Sequence, residues 1–188
     1  MEDPFDFPAL RIHQPGGPLA DRATYEIFNA GRKLLATVSE TEGHTRLKLL
    51  SKSMPDTRMF AVTTAGGEPV LSIIKHASKW ITELRDREGE LVGRIRTGDT
   101  RRIYTLLDDQ DRTVGKVTGD LALKHFSATT GDRREFARVR KTWAGLTKEL
   151  VTLSDHYAVE FTGPVTQPAR TLTVVMPIVL DLTSYGPI

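Results

Sequence analysis

Cysteine is absent from all 188 residues, which excludes disulfides, cysteine-ligated zinc, thiol catalysis and S-palmitoylation together. Long apolar runs are scarce as well. The longest, Thr171–Leu182, has twelve residues, whereas a membrane-spanning helix takes about 20. Charge is nearly balanced, with 26 Lys and Arg against 24 Asp and Glu for a net +2, so any attraction to a polyanion must come from local clusters. The first residues, Met1–Pro8, are acidic and lack an apolar core. They do not read as a signal peptide, and a cytoplasmic location is the default expectation. The motifs of covalent and phosphate chemistry are missing: the sequence holds no Gly-x-Ser-x-Gly elbow and no Gly-x-x-x-x-Gly-Lys loop. His13, His44, His76, His125 and His156 fall at no metal-ligand spacing. No catalytic residue, cofactor or metal site is expected.

What is present is a β texture. Residues 1–23 carry Pro4, Pro8, Pro15, Pro18 and one apolar patch, Ala9–Ile12, and read as a Pro-rich arm whose patch can add an edge strand. From Thr24 to the end the chain reads as one domain. Short β-type runs alternate with turn residues at the 8–12-residue spacing of sandwiches and barrels. They are Thr24–Phe28, Lys33–Glu40, Arg58–Thr63, Pro69–Ile74, Trp80–Arg85, Leu91–Arg96, Arg102–Leu107, Thr113–Thr118, Ala122–Ser127, Glu135–Trp143, Lys148–Thr152 and Tyr157–Phe161, with Leu47–Leu50 as a further short candidate. Alternation puts Thr82 and Leu84 opposite Ile81, Glu83 and Arg85, and Gly93 and Ile95 opposite Arg94 and Arg96. A sheet of about twelve strands must curl or close to remove its edges, and a barrel that wide needs filling. The run Thr171–Leu182 is the filler on offer. Its Val and Ile residues favour a strand, while Pro168 and Pro177 favour a helix with a proline first turn and a kink.

Several of these stretches resemble the phospholipid scramblase and LURP-one-related families of the tubby C-terminal-like group. Thr24–Ala30 is similar to the opening scramblase strand, and Val114-Gly-Lys-Val117 to a recurrent hairpin. The best likeness is Val139-Arg-Lys-Thr-Trp-Ala-Gly145, followed by Glu149, Asp155, Tyr157, Phe161 and the run ending Val179-Leu-Asp-Leu182. The resemblance covers residues 24–186. It implies a mainly β fold: a closed antiparallel barrel of about twelve strands enclosing a hydrophobic C-terminal helix, with no enzymatic activity. In scramblases the stretch matching Leu153–Pro164 reads Asp-x-Asp-x-Phe-x-x-x-Phe-Pro-x-Asp and is proposed to hold calcium. Here Leu153, Thr162 and Pro164 replace two of its carboxylates and its proline, leaving a degenerate segment around Asp155.

Two basic groups stand out. One brackets a connection with Arg94, Arg96, Arg101 and Arg102, and the other lies in Asp132–Lys148. Within them Arg94 and Arg96 share a strand face, as do Arg138 and Arg140. These four arginines are the candidate contacts for an anionic phospholipid or phosphoinositide headgroup, making the protein a peripheral membrane binder. The competing expectation is a protein-binding scaffold acting through its arm. No exposed aromatics accompany the arginines in a run, so nucleic acid is not an expected partner. Asp181 is expected at the barrel rim, because an unpaired carboxylate in a dry core is costly. Calcium needs six to eight oxygen ligands, so calorimetry should show no saturable micromolar calcium binding. A micromolar isotherm abolished by Asp155→Ala would overturn this.

Overall fold

The computed structural model describes residues 5–15, 23–41, 57–76, 80–142 and 156–184. Its strands are β1 (Ala9–His13), β2 (Thr24–Asn29), β3 (Leu34–Glu40), β4 (Arg58–Thr64), β5 (Pro69–Lys75) and β6 (Ile81–Asp86). They continue with β7 (Leu91–Thr97), β8 (Ile103–Asp108), β9 (Thr113–Gly119), β10 (His125–Thr129), β11 (Glu135–Thr142) and β12 (His156–Phe161). One helix follows, α1 (Ala169–Ser184). Each strand pairs antiparallel with its neighbours in sequence, and β1 pairs with both β12 and β2 to close the barrel.

The expected architecture is therefore the observed one, and most strand ends fall within a residue or two of those read from the sequence. The patch Ala9–Ile12 does more than expected. It is no edge strand of an arm, because Leu10 and Ile12 are buried inside and the strand is hydrogen-bonded on both sides. Proline density hid a strand that only the far end of the chain can complete. The expected strands Leu47–Leu50 and Lys148–Thr152 lie outside the described residues.

Alternation decides which side chains fill the barrel. Thr82, Leu84, Gly93 and Ile95 are buried, while Glu83, Arg85, Arg94 and Arg96 point outward. The inner face mixes large residues (Tyr25, Phe60, Tyr104) with Ala36, Ala128 and Ala137, all essentially inaccessible to solvent. Gly93 shows why small residues are needed. A Cβ there would stand 2.4 Å from the Leu107 carbonyl oxygen and 3.3 Å from a Leu172 methyl of α1.

The helix occupies the bore. Every residue from Thr171 to Asp181 is buried, so α1 has no solvent face, as a helix surrounded by sheet requires. Its polar groups are answered locally. Thr173 and Thr183 donate their hydroxyls to the Ala169 and Val179 carbonyls at 2.7 and 2.8 Å. Pro177 stands inside the helix, where it offers no N–H to the preceding turn. At the entry, Arg170 donates to the Phe5 and Phe7 carbonyls at 2.9 and 2.7 Å and tacks the N-terminal segment over the barrel.

The two ends differ. Connections β2–β3, β4–β5, β6–β7, β8–β9 and β10–β11 are four or five residues long and form a hairpin end, where α1 also begins. Arg32, Gly67, Gly89, Asp111 and Arg133 take positive φ in these turns. Asp86 accepts the Glu88 and Glu90 amides, and Asp108 those of Gln110 and Arg112, so the crowded carboxylates serve turn geometry. The opposite ends of the strands lie with the C-terminus of α1 at a second end, called here the loop end because five to seventeen residues separate the strands joined there.

Val175 is 1% exposed at the centre of α1. Val175→Asp places a carboxylate in that bore at a cost of several kcal/mol, against a total stability of about 5–15. Loss of soluble, cooperatively melting protein is the expected outcome; a Val175→Asp protein with an unchanged melting curve would contradict the filled-barrel account.

Candidate functional site

The four arginines singled out in the sequence all lie on the outer wall, but in two places. Arg94 and Arg96 are on β7, Arg138 and Arg140 on β11, four strands further round a ring of twelve. At about 4.8 Å per strand that is roughly 19 Å of curved sheet, a third of the circumference, so one flat surface cannot meet both pairs. Three of the four are already engaged. Arg94 donates to Asp111 at 2.7 Å and to Glu83 at 3.4 Å. Arg138 bonds Glu135 at 2.6 Å, and Arg140 bonds Glu160 across the β11–β12 pair. Burial raises the Glu83 carboxyl, but hydrogen bonds from Arg85 and Arg94 outweigh it and hold that group below its usual range. Arg96 makes no ion pair among the described residues, and it sits one residue from the loop end of β7.

The loop end has the stronger character. The large apolar side chains exposed among the described residues are Met59, Trp80, Ile103, Leu121 and Leu123. Each lies in the first two residues of a strand or in a connection at that end, so all five share it. Leu121 is 86% exposed and Trp80 47%, which marks them as uncovered apolar surface rather than core margin. Basic residues stand among them: Arg96, Arg101, Arg102, Lys124 and Lys141. The Arg101 guanidinium lies 5.8 Å from the centre of the Trp80 ring. Trp143 lies outside the described residues.

Between these residues a cavity of about 260 Å³ opens beside the last turns of α1. Leu180 and Thr183 come from the helix, Arg101 and Tyr104 from the β7–β8 turn and β8, and Ala122–Lys124 and Phe126 from the β9–β10 turn and β10. Lys141 and Tyr157 complete it from β11 and β12. The described lining thus holds three cations and no carboxylate. The Tyr104 hydroxyl donates to the Arg101 carbonyl at 2.9 Å and lies 3.3 Å from the Thr183 hydroxyl. Burial pushes this phenol above its usual range, against the Thr183 hydrogen bond and the Arg101 charge that lower it, so it stays a proton donor.

Asp181 corrects an expectation. It does not reach solvent at a rim; it is 3% exposed, accepts a hydrogen bond from Tyr157, and has the Lys141 ammonium at 3.8 Å. Lys141 also lies 5.3 Å from the centre of the Tyr157 ring. The cost that favours a rim position is met instead by partners on neighbouring strands, which the sequence could not bring together. Asp155, in the segment matching the scramblase calcium site, lies outside the described residues, while Glu160 nearby is bound to Arg140. No group of three or more His, Asp or Glu able to hold a metal occurs among the described residues.

Sequence reasoning saw Arg101 and Lys141 only as members of separate basic groups, and it passed over Lys124. The usable signal was two leucines, Leu121 and Leu123, flanking a tight turn next to that lysine, where apolar residues serve no turn geometry.

The family model described as Scramblase matches residues 24–186. The X-ray structure of a protein from Arabidopsis thaliana, 11% identical, superposes with a TM-score of 0.59 over 97% of this chain and 96% of that one. At that identity the likeness concerns the fold. No curated protein matches the sequence.

Tyr157→Phe removes a donor from a buried carboxylate, at about 1–3 kcal/mol. For a chain of this size each kcal/mol lowers the melting temperature by roughly 2–4 °C. Thermal melts of the variant should show that drop, and an unchanged melting temperature would mean that Tyr157 does not help to hold Asp181.

Proposed function

For a chain that belongs to the Scramblase family, we propose a non-catalytic role at membranes, in which the loop end of the barrel docks peripherally on anionic phospholipid. The observation that carries this reading is the gathering of Met59, Trp80, Ile103, Leu121 and Leu123 at one end, among basic side chains. Apolar residues for the acyl boundary, with cations at headgroup level, are the pattern of interfacial binding. A tryptophan at the edge suits that depth. No helix among the described residues is long and apolar enough to cross a membrane, so α1 remains barrel core in this reading.

Magnitudes support a reversible contact. Arg96, Arg101 and Lys124 contribute about 1 kcal/mol each near an anionic surface. Insertion of Leu121 adds about 1–3 kcal/mol. The sum, about 4–6 kcal/mol, corresponds to dissociation constants from roughly 1 mM to tens of micromolar. The wall arginines Arg94, Arg138 and Arg140 are left out because their carboxylate partners already hold them. In the scaffold alternative the arm would bind a protein without its apolar patch, which is taken up in β1.

Vesicle co-sedimentation tests the reading. Wild type should bind phosphatidylserine vesicles at low salt and not phosphatidylcholine vesicles. Binding should weaken at 1 M salt, where the Debye length falls to about 3 Å. Leu121→Asp should reduce it about tenfold or more without a folding cost, because that side chain is exposed, whereas Arg138→Gln should leave it intact. If Leu121→Asp binds as well as wild type, or wild type does not bind at all, the loop end is not a membrane surface.

A further inference from the structure

We propose that the cavity beside the C-terminal turns of α1 binds one neutral, ring-sized apolar molecule carrying a single N–H or O–H donor, such as an indole or a phenol. The inference stands apart from the membrane reading, since it needs neither a bilayer nor an anion. It starts from the cations of the lining, which are already engaged. Arg101 lies over the Trp80 ring at 5.8 Å. Lys141 has Asp181 at 3.8 Å and the centre of the Tyr157 ring at 5.3 Å, and Lys124 has a partner of its own. An anion entering the cavity would have to compete for each of them, and a charge taken out of water without a partner is costly. What the described lining offers without competition is apolar: Ala122, Leu123 and Leu180, with the rings of Tyr104 and Phe126. Those two rings stand edge to face, their centroids 6.4 Å apart and their planes at 64°. A wall of that kind favours another ring as its occupant.

Size narrows the class. A dry apolar cavity of about 150 Å³ takes benzene, and pockets that bury drug-sized ligands span roughly 300–1,000 Å³. The volume here, about 260 Å³, falls between them and suits one ring or two fused rings. The polar requirement follows from where two protons go. The Tyr104 hydroxyl donates to the Arg101 carbonyl at 2.9 Å, and the Thr183 hydroxyl donates to the Val179 and Leu180 carbonyls at 2.8 and 3.1 Å. Each hydroxyl has one proton and two lone pairs, so no proton is left for the 3.3 Å contact between the two oxygens. Both residues belong to the lining, and what they hold in surplus is acceptor capacity. A ligand with one donor matches that surplus. A carboxylate or a phosphate ester, which would bring charge and further acceptors, does not.

The test titrates the full chain with indole, indene and benzoate in the absence of lipid, following methyl and backbone amide resonances. Indene has the shape of indole without its N–H, and benzoate has a ring with a charge. Indole should give saturable shifts centred on residues 104, 122–126 and 180–183. Indene should bind at the same residues about fivefold more weakly, the worth of one hydrogen bond, and benzoate more weakly still. Thr183→Val keeps the shape of the side chain and removes its lone pairs, so it should narrow the preference for indole over indene while leaving indene binding as it was. Tyr104→Phe should narrow the same preference, which keeps the test decisive if one of the two variants fails to fold. A wild type without saturable indole shifts at these residues would overturn the proposal. Equal binding of indole and indene, tighter binding of benzoate than of either, or a preference for indole undiminished in the folded variants would overturn it as well.

Discussion

The fold depends on filling a bore. Twelve strands closed on themselves enclose more space than side chains from the wall can occupy, and an empty apolar channel would forfeit packing at every layer. The C-terminal helix answers this by being buried on all sides, from Thr171 to Asp181. Other features follow as accommodations to it. Gly93 has no side chain because Leu107 and Leu172 leave no room. Alanines sit on the inner wall at Ala36, Ala128 and Ala137. Thr173 and Thr183 return their hydroxyls to carbonyls of α1 itself, and Thr171 gives its own to the Gln167 side chain just ahead of the helix.

A helix threaded through a barrel also makes the two ends unequal. It enters at the end of short hairpins, pinned by Arg170 to the N-terminal segment, and it stops among the longer connections. Where it stops, the layered core gives way to a cavity walled by helix, turns and strands together. Short hairpins tuck their polar atoms into their own turns, as Asp86 and Asp108 do. The loop end instead exposes leucine, isoleucine and tryptophan. An end that is better solvated than necessary opposite one that is less well solvated than expected is the physical basis for looking for function at the second.

Charge on the wall has a structural use. Glu83 gathers Arg85 and Arg94, and Arg140 reaches Glu160 on the next strand. The pairs that cross strands, Glu83 with Arg94 and Arg140 with Glu160, steady neighbouring strands modestly, and they withdraw those arginines from competition for an outside ligand. A basic stretch in a sequence therefore says little until the acids opposite it are known.

The sequence by itself determined the architecture. Alternation at Thr82–Arg85 and Gly93–Arg96, turn residues at regular spacing and one all-apolar segment require a closed sheet with something inside. These signals are local, and local signals survive in one dimension. It also held the family pattern of Lys141, Trp143, Gly145 and Asp181. Tertiary structure alone decided the rest. β1 reads as part of an irregular arm because its partners, β12 and β2, are set by closure and not by its own residues. Asp181 is buried because Lys141 and Tyr157 arrive from other strands. The four wall arginines separate and Arg101, Lys124 and Lys141 converge for one reason: in a barrel, position round the ring and distance from the end decide which side chains meet, and neither can be read from spacing along the chain.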